Sequence, residues 1–589
     1  MSVTPEQHPP HCVPAFHFGV ASQCGFIIAD AEAMRGTLIA ILAALAESVR
    51  KSLAEAGPGL FAARPPQLRC VTSLAGEADR QVADAALAVG FTLQCPLPFP
   101  RDRCLADGTD ASRRTLAALL ARSEAVLELD FSPAHAADAL LAAGRVVLDQ
   151  SDLLLAIWDG VSAGDGPGPI VAAARAHGLP VIVVGPEPPH GVCLLRPADR
   201  GHPLPAPETE WRQGLADEVR RVLLPGQGAP GAAAADAPAA EARRYFAEPV
   251  PRVHGYGRLH APLERLMLVG ASPDPDPGDT APAASPEPMP LDRQMHWADT
   301  LAIAYGSLQR TAMMLRYLLV LPTILGACIG FYVDLPGAKT IGFGMQAVSL
   351  AGILWLAHIS ARRAWLPRFI DYRLLAELLR HQRYFGALGL CLPRLRGLPH
   401  RPEAAASWVA WQQRAAVRES GLPADRLTPA RLDALRLFIR DEVASQRRYH
   451  RRTGLRYAAL ARRLDRIGTV IYVAGLVSVV LRAGFALAVE LRWIDGAAAD
   501  TITLFNIVAL VVPALAPVFL GLRSQAEFER LSSQYSAMAT ELAALLPAFD
   551  AHAPTYAQLT TAAEAAVRTM MRETADWRLV LKARPVSAT

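Results

Sequence analysis

The chain has 589 residues, a hydrophobic fraction of 52% and a mean hydropathy of +0.20, which predicts several domains and either membrane segments or an alanine-rich composition. The net charge is only +4, so the overall balance gives no indication of nucleic-acid binding. The eight cysteines form no CxxC pair and no His/Cys cluster at metal-ligand spacing, which predicts inert thiols in a cytosolic context and no metal site. We expect residues 1–14 to be disordered and not a signal peptide, because no charged segment is followed by an apolar one.

Residues 15–186 alternate short apolar runs with helical patterns. Runs such as LRCVTSL, AVLELDF, DLLLAIWD and LPVIVVG predict strands, and EADRQVADAALAVG and IVAAARAHG predict helices. Continuous apolar strands separated by helices are typical of a parallel sheet covered on both faces. The fold class predicted for this part is therefore α/β, doubly wound and Rossmann-like.

The composition changes after residue 186. Two Pro/Ala-rich stretches, 225–242 and 272–290, cannot bury a core, so residues 187–295 are predicted to be a mostly disordered linker. Beyond it, four apolar runs are each compatible with a membrane-spanning helix: 318–333, 341–360, 467–491 and 501–522. They predict an α-helical membrane domain of two hairpins, 296–366 and 467–522, with cytosolic helices in 367–466 and 523–589.

The arginines predict the orientation of these spans. They cluster after the second span and before the third, whereas the two hairpin loops carry one cation each, Lys339 and Arg492. Both termini are therefore expected in the cytoplasm. The arginine-rich segment 447–466 lies against a span, which favours contact with lipid headgroups over contact with nucleic acid. Arg482 and Asn506 are expected to face protein or water.

Two turns near the N-terminus are candidates for a ligand site, because open α/β sheets bind ligands at the carboxyl ends of their strands. HFGVASQCGF places small residues between a strand and a helix, as phosphate loops do, and VTSLAGEADRQVA ends a strand and begins a helix. Acidic residues in that first turn have the simpler alternative role of complementing the helix dipole, whereas an arginine there suggests an anion. The candidate residues are Gly19, Ser22, Gly25, Ser73, Gly76, Glu77, Asp79 and Arg80.

The stretch DLLLAIWDGVSAGDGPGP runs a strand into a Trp-Asp-Gly corner and a glycine loop. A carboxylate at a strand end can hold ribose hydroxyls, an indole can stack on a base, and the N–H groups that begin the next helix suit phosphate. The alternative is a local role, with Trp158 covering the core and Asp159 capping a turn. The candidate residues are Trp158, Asp159, Gly160, Gly164, Gly166 and Gly168.

These motifs resemble the SLOG superfamily, the Rossmann-like group that includes the Smf/DprA and LOG proteins, over residues 15–186. SLAGEADRQVA is similar to the family's S.LAEGADRLVA, and SDLLLAIWDG is similar to CDLLIAVWDG. The chain departs from the family in its first loop, GVASQCG, which lacks the His and Arg of GVTGHR. It also has Ala172 where the LOG pattern PGGxGTxxE carries its glutamate. The resemblance therefore implies binding of a nucleotide-derived ligand without LOG-type hydrolysis.

The membrane half resembles SLATT-type effectors, in which transmembrane hairpins accompany SLOG domains in bacterial conflict systems. DYRLLAELLRHQRYFG after one hairpin and GLRSQAEFERLSSQYSAM after the other carry this resemblance. It implies an oligomeric membrane-perturbing output in the inner membrane of a bacterium, controlled by a nucleotide sensor. Because a long disordered linker cannot transmit torque, ligand-driven oligomerisation is the expected signal. The alternatives are a membrane-tethered nucleotide-processing enzyme that uses Asp159, Glu77 and Arg80, and a non-catalytic scaffold.

Overall fold

The fold was established from a computed structural model. The residues that it describes are 10–22, 30–106, 109–129, 131–159, 167–188, 190–197, 208–226, 232–251, 259, 290–333, 336–392, 407–491, 493, 508–516, 518–521, 528–550, 552 and 554–582. The predicted site residues Gly25, Gly160, Gly164 and Gly166 lie outside these ranges, as does Asn506.

An eight-stranded sheet forms the centre of the N-terminal half, which confirms the predicted α/β class. The strand order is β7-β6-β5-β1-β2-β3-β4-β8, and every neighbouring pair is parallel except β6 and β7. The strands are β1 (Ala15–Ser22), β2 (Gln67–Val71), β3 (Thr92–Leu97), β4 (Ala125–Glu128), β5 (Leu153–Ile157), β6 (Val181–Val184), β7 (Val192–Leu195) and β8 (Asp425–Arg426). The order reverses between β1 and β5, as in doubly wound folds.

Helices cover both faces of this sheet, so strands such as β5 and β6 are buried along their whole length. They are α1 (Ala31–Ala56), α2 (Glu77–Val89), α3 (Arg101–Cys104), α4 (Asp110–Ala121), α5 (Ala136–Gln150) and α6 (Gly168–Ala176). Helix α2 ends at Gly90, whose φ of 96° is the left-handed conformation that lets the chain turn directly into β3.

The prediction of a mostly disordered linker over 187–295 was wrong for a large part of that segment. It contains β7 and two helices, α7 (Glu208–Leu223) and α8 (Ala232–Phe246). Helix α7 buries Trp211 and Leu215 in the core that covers one face of the sheet. The alanine-rich composition of α8 led to the prediction of a linker. Alanine nevertheless favours helices, and the last turn of α8 buries two aromatic residues.

The helical half begins with α9 (Pro290–Leu318), α10 (Val320–Tyr332), α11 (Ala338–Arg362) and α12 (Trp365–Ala387). Helices α10 and α11 form the first predicted hairpin. A Cβ on Gly342 would lie 2.5 Å from the Gly326 carbonyl oxygen, and one on Gly330 would lie 2.8 Å from the Phe343 ring. Small residues therefore let the two backbones approach closely, as in membrane helix pairs.

The chain then returns to the sheet before it enters the second hairpin. Helix α13 (Trp408–Ser420) and strand β8 follow, and β8 pairs in parallel with β4, with Leu127 opposite Asp425. Helix α14 (Pro429–Glu490) begins directly after β8, with Thr428 as its N-cap, and runs for 62 residues, or about 93 Å. The α/β domain thus includes residues 408–426, which were predicted to be a separate cytosolic segment.

Three helical segments of the described chain are long and apolar enough to cross a membrane: Leu291–Phe331, Ala338–Arg362 and Pro429–Glu490. The second predicted span lies wholly within them, and the first and third extend two residues and one residue beyond their ends. The helix over Val508–Gly521 is shorter. A Cβ on Gly475 would lie 2.9 Å from Pro513, and one on Gly468 would lie 3.0 Å from Leu520, so the described part of the fourth run packs antiparallel to α14. Two further helices, α15 (Phe528–Leu545) and α16 (Tyr556–Lys582), complete the fold.

Candidate ligand site and the opposite edge of the sheet

The candidate ligand site lies where the strand order reverses. Strands β1 and β5 are neighbours, and Ser22 at the carboxyl end of β1 stands opposite Ile157 at the carboxyl end of β5. The chain leaves β1 toward α1 on one side and β5 toward α6 on the other. In doubly wound sheets, ligands bind in the crevice outside the carboxyl edge at such a reversal.

Ser22 and Asp79, which were predicted separately, meet at this edge. The Ser22 hydroxyl donates a hydrogen bond to Asp79 Oδ1 at 2.5 Å, and the Gly76 N–H points at Asp79 Oδ2 from 3.4 Å. Asp79 is buried, and this burial raises the pKa of its carboxyl despite both hydrogen bonds. The pair therefore ties the carboxyl end of β1 to the first turn of α2, while Glu77, two residues before Asp79, is exposed.

The turn between β2 and α2 is held by Arg80 and has a strained backbone. Leu74 adopts a φ of 53°, which is uncommon for a residue with a branched side chain, and its N–H donates to Thr72 Oγ1 at 3.2 Å. Arg80 Nε donates to the Leu74 carbonyl oxygen at 3.1 Å, and its Nη1 donates to the Ser112 hydroxyl. These contacts give Arg80 a structural role in fixing the turn that carries Ser73.

Trp158 and Asp159 continue directly from the carboxyl end of β5. The Trp158 N–H donates to the Val184 carbonyl oxygen at 3.1 Å, which extends the ladder with β6 by one residue. The Trp158 side chain is half-buried beside the core of the second sheet face, and Asp159 is exposed. A half-buried indole is held in place by the core and still exposes part of its ring for stacking on a planar ligand.

Helix α6 packs in the same core as Trp158. Gly168 is its first residue and Pro167 its N-cap, and its first turn contains no acidic side chain. Ala172 is exposed on this helix, at the position where the resemblance places a catalytic carboxylate. Pro169 has no N–H and the Val171 N–H is bonded to the Pro167 carbonyl oxygen, so Gly168 and Ile170 are the first-turn residues whose N–H groups can meet an anion. Among the residues that the structure describes, no three His, Cys, Asp or Glu side chains come together to hold a metal ion.

Gly19 has a packing explanation. It lies inside β1, facing the end of α5, where a Cβ would overlap Ser151 Oγ and lie 2.9 Å from Val147 Cγ1. The absence of a side chain therefore lets α5 approach the sheet. Gly19 sits three residues before the carboxyl end of its strand, away from the edge at which Ser22 lies.

The amino edge of the sheet carries a polar cluster that the sequence analysis did not predict. Asp152 lies just before β5 and is only 2% exposed. It accepts hydrogen bonds from Arg418 Nε at 3.0 Å on both oxygens and from Arg414 Nε at 3.2 Å. Both arginines belong to α13, so one carboxylate attaches the chain between the two hairpins to β5. We call Asp152, Arg414 and Arg418, with His17, Arg69 and Glu124 described below, the amino-edge cluster.

Arg69 makes a second attachment at the carboxyl end of α13. It lies in β2 and pairs with Glu124 through three hydrogen bonds, from Nη2 at 2.8 Å and from Nε at 3.1 and 3.2 Å. Its third nitrogen, Nη1, donates to the Arg418 carbonyl oxygen at 2.6 Å, in the last turn of α13. A cation in this place satisfies a terminal carbonyl and complements the helix dipole.

His17 completes the cluster in β1. Its backbone N–H donates to Asp152 Oδ2 at 3.2 Å, its Nδ1 lies 3.0 Å from the Gln150 carbonyl oxygen, and Arg69 Nη1 lies 3.3 Å from its Nε2. The Nδ1–H therefore donates and Nε2 accepts. Burial, together with the adjacent guanidinium, lowers the pKa of His17 to about 3, so its ring is neutral.

The turn after α13 fits against β3. The Leu422 N–H donates to Gln94 Oε1 at 3.0 Å, and Gly421 has a φ of 63°. The signal for this docking surface was present in the sequence: His17, Arg69 and Gln94 are polar residues inside otherwise apolar strands. The contacts that Arg69 and Gln94 make with α13 and its following turn join residues 349 and 328 positions apart, which no local pattern reveals.

Comparison of the chain with protein-family models, with curated proteins and with solved structures gave no match.

Proposed function

We propose that the protein is a membrane-anchored sensor: its α/β domain binds a nucleotide-derived ligand, and its apolar helices produce the output. The observation that carries the proposal is that β5 connects the candidate ligand residues to the attachment point of α13. Trp158 and Asp159 stand at its carboxyl end, in the crevice, and Asp152 at its amino end holds the helix that leads to the third span.

The support for a nucleotide is chemical. Asp159 supplies a carboxylate for ribose hydroxyls, Trp158 a ring for a base, and the start of α6 a set of N–H groups for phosphate. The missing carboxylate at Ala172 and the engagement of Arg80 in its own turn favour binding over hydrolysis. The resemblance to SLOG domains supports the same ligand class.

The support for coupling is the continuous path from the sheet into the apolar region. Strand β8 adds to the sheet edge, the Leu427 N–H donates to the Glu128 carbonyl oxygen at 2.9 Å, and α14 then runs without a break to Glu490. Ligand-driven oligomerisation was expected because a disordered linker cannot transmit torque. The continuous connection through β8 and α14 makes direct mechanical transmission an equally good explanation. We propose that α13, β8 and α14 transmit the ligand state to a bacterial inner membrane that the chain crosses with both termini in the cytoplasm.

Ligand binding is tested on the full chain in detergent with AMP, ADP, GMP and NAD, by calorimetry and by thermal shift. We expect at least one nucleotide to bind, Trp158→Ala to weaken it at least tenfold, and Asp159→Asn to weaken it by a similar factor. Asp217→Asn, which changes an exposed carboxylate on α7, is the matched control and should bind as the wild type does. Absence of binding by every nucleotide would leave the scaffold alternative.

The enzyme alternative is tested in the same samples. Release of free base from AMP and NAD is followed by chromatography over hours. The proposal expects no release above the rate without protein. Turnover that disappears in Asp159→Ala would overturn it in favour of a membrane-tethered nucleotide-processing enzyme.

A further inference from the structure

The arginines that precede the apolar part of α14 form a surface which the sensor function does not explain. Arg451, Arg462 and Arg466 are exposed. Arg462 and Arg466 follow Arg451 by 11 and 15 residues, or about three and four helical turns. The three side chains therefore lie on one face of the helix.

Other faces of the same stretch are packed against protein. Gly454, three residues after Arg451, is buried, and its carbonyl oxygen accepts a hydrogen bond from the Ser532 hydroxyl of α15 at 2.9 Å. Leu460 and Leu464 join a small core with Phe528 at the start of α15. The arginine face therefore points away from the helix bundle.

This face becomes apolar within one turn after Arg466. Val470, Val473, Val477 and Val480 follow at intervals of three and four residues, with exposures of 63%, 51%, 50% and 61%. The helix thus presents one continuous outward stripe that changes from arginine to valine. Such a change is expected where a helix passes from lipid headgroups into acyl chains.

A second helix repeats the arrangement. Helix α11 exposes Val348 and Leu354, by 74% and 71%, and ends at Arg362, which like Arg363 is exposed. Two apolar helices therefore finish in exposed arginines at one end. Guanidinium groups bind phosphate through two parallel hydrogen bonds, which favours them at such a boundary.

We propose that Arg451, Arg462 and Arg466 form a binding surface for the headgroups of anionic phospholipids, with the valine stripe in contact with their acyl chains. The adjoining apolar surface favours a lipid over a nucleic acid, because a nucleic acid would leave the valines uncovered. The inference requires the apolar helices to lie in a bilayer, and it is independent of the nucleotide site.

The test uses the full chain in detergent and short-chain phosphatidylglycerol or phosphatidylcholine as the added lipid, with the melting temperature as the readout. Phosphatidylglycerol should stabilise the wild type and phosphatidylcholine should not. The triple variant R451Q/R462Q/R466Q should bind phosphatidylglycerol at least tenfold more weakly, since each basic residue near an anionic surface contributes about fivefold. The matched control is R50Q/R114Q/R122Q, which removes three exposed arginines from the α/β domain and should bind as the wild type does.

Further measurements distinguish a lipid headgroup from inorganic phosphate and from DNA as the ligand. The triple lysine variant keeps the charge and should retain most of the binding, and 0.5 M NaCl should weaken binding by the wild type. Equal binding by the glutamine triple variant and its control would overturn the proposal. Competition by inorganic phosphate or by a DNA duplex at the same concentration as the lipid would also overturn it, because the acyl chains would then contribute nothing.

Discussion

Replacing Asp152 with asparagine should loosen α13 from the sheet. The carboxylate is 2% exposed and receives three hydrogen bonds from Arg414 and Arg418 at 3.0–3.2 Å. An amide keeps the shape but removes the charge, so two buried guanidinium groups lose their counter-ion. Removal of one partner from a buried ion pair costs about 3–5 kcal/mol.

For an α/β domain of this size, each kcal/mol corresponds to about 2–4 °C in melting temperature, so the expected loss is about 6–20 °C. The assay is intrinsic fluorescence of the full chain in detergent, because Trp408 and Trp411 lie on α13 itself. The Trp411 Nε1–H donates to the Leu223 carbonyl oxygen at 2.7 Å, so its emission reports on the docking of this helix.

Asp217→Asn is the matched control, since it makes the same chemical change at an exposed carboxylate on α7. It should stay within about 2 °C of the wild type, as surface substitutions usually change stability by no more than about 0.5 kcal/mol. A double-mutant cycle with Arg418→Met should give a coupling free energy above about 1 kcal/mol. A melting temperature of Asp152→Asn equal to that of the control would refute the assignment of the amino-edge cluster.

Three more predictions concern backbone geometry, pH and the first hairpin. Gly421→Ala should destabilise the α/β domain by about 1–3 kcal/mol in thermal unfolding, because φ is 63° and the new Cβ would lie 2.5 Å from Gln94 Nε2; an unchanged melting temperature would contradict the described turn. The pKa of His17 is lowered from 6.5 to about 3, so the unfolded chain takes up a proton that the native ring refuses. This contribution to stability is complete above pH 6.5 and is lost as the pH falls toward 3, by about 2 kcal/mol at pH 5, at about 1.4 kcal/mol per unit. His17→Gln should show a correspondingly smaller difference in melting temperature between pH 7 and pH 5, and an identical slope would rule out this origin. Gly342→Val should separate α10 from α11, since its Cβ would lie 2.5 Å from the Gly326 carbonyl oxygen; a cysteine pair across the hairpin should then cross-link more slowly, whereas Gly344→Val, with open space at its Cβ, should leave the rate unchanged.

The sequence predicted the elements whose signals are local. Apolar strands separated by amphipathic helices predicted the parallel sheet, and the length of the apolar runs predicted three of the helices that can cross a membrane. The Ser22 and Asp79 pair was predicted only as two separate turns, because the order of strands decides which turns meet. The crevice therefore followed from the topology of the sheet, which periodicity alone does not determine.

The contribution of residues 408–426 to the sheet could not be predicted in the same way. Strand β8 has only two residues, too few for a periodic pattern, and its partner β4 lies about 300 positions earlier. Alanine-rich α8 was read as part of a linker because composition does not distinguish a docked alanine helix from a disordered chain. In both cases, tertiary packing stabilises an element whose local signal is weak.

The most direct test of the central claim is dye release from vesicles that contain the full chain, titrated with the nucleotide that binds best. The wild type should release dye in a ligand-dependent manner, and Asp159→Asn should require at least tenfold more ligand. Asp152→Asn, measured well below its melting temperature, should bind the ligand with unchanged affinity but should release little dye. Release by Asp152→Asn equal to that of the wild type, or release by the wild type that no nucleotide changes, would contradict the account.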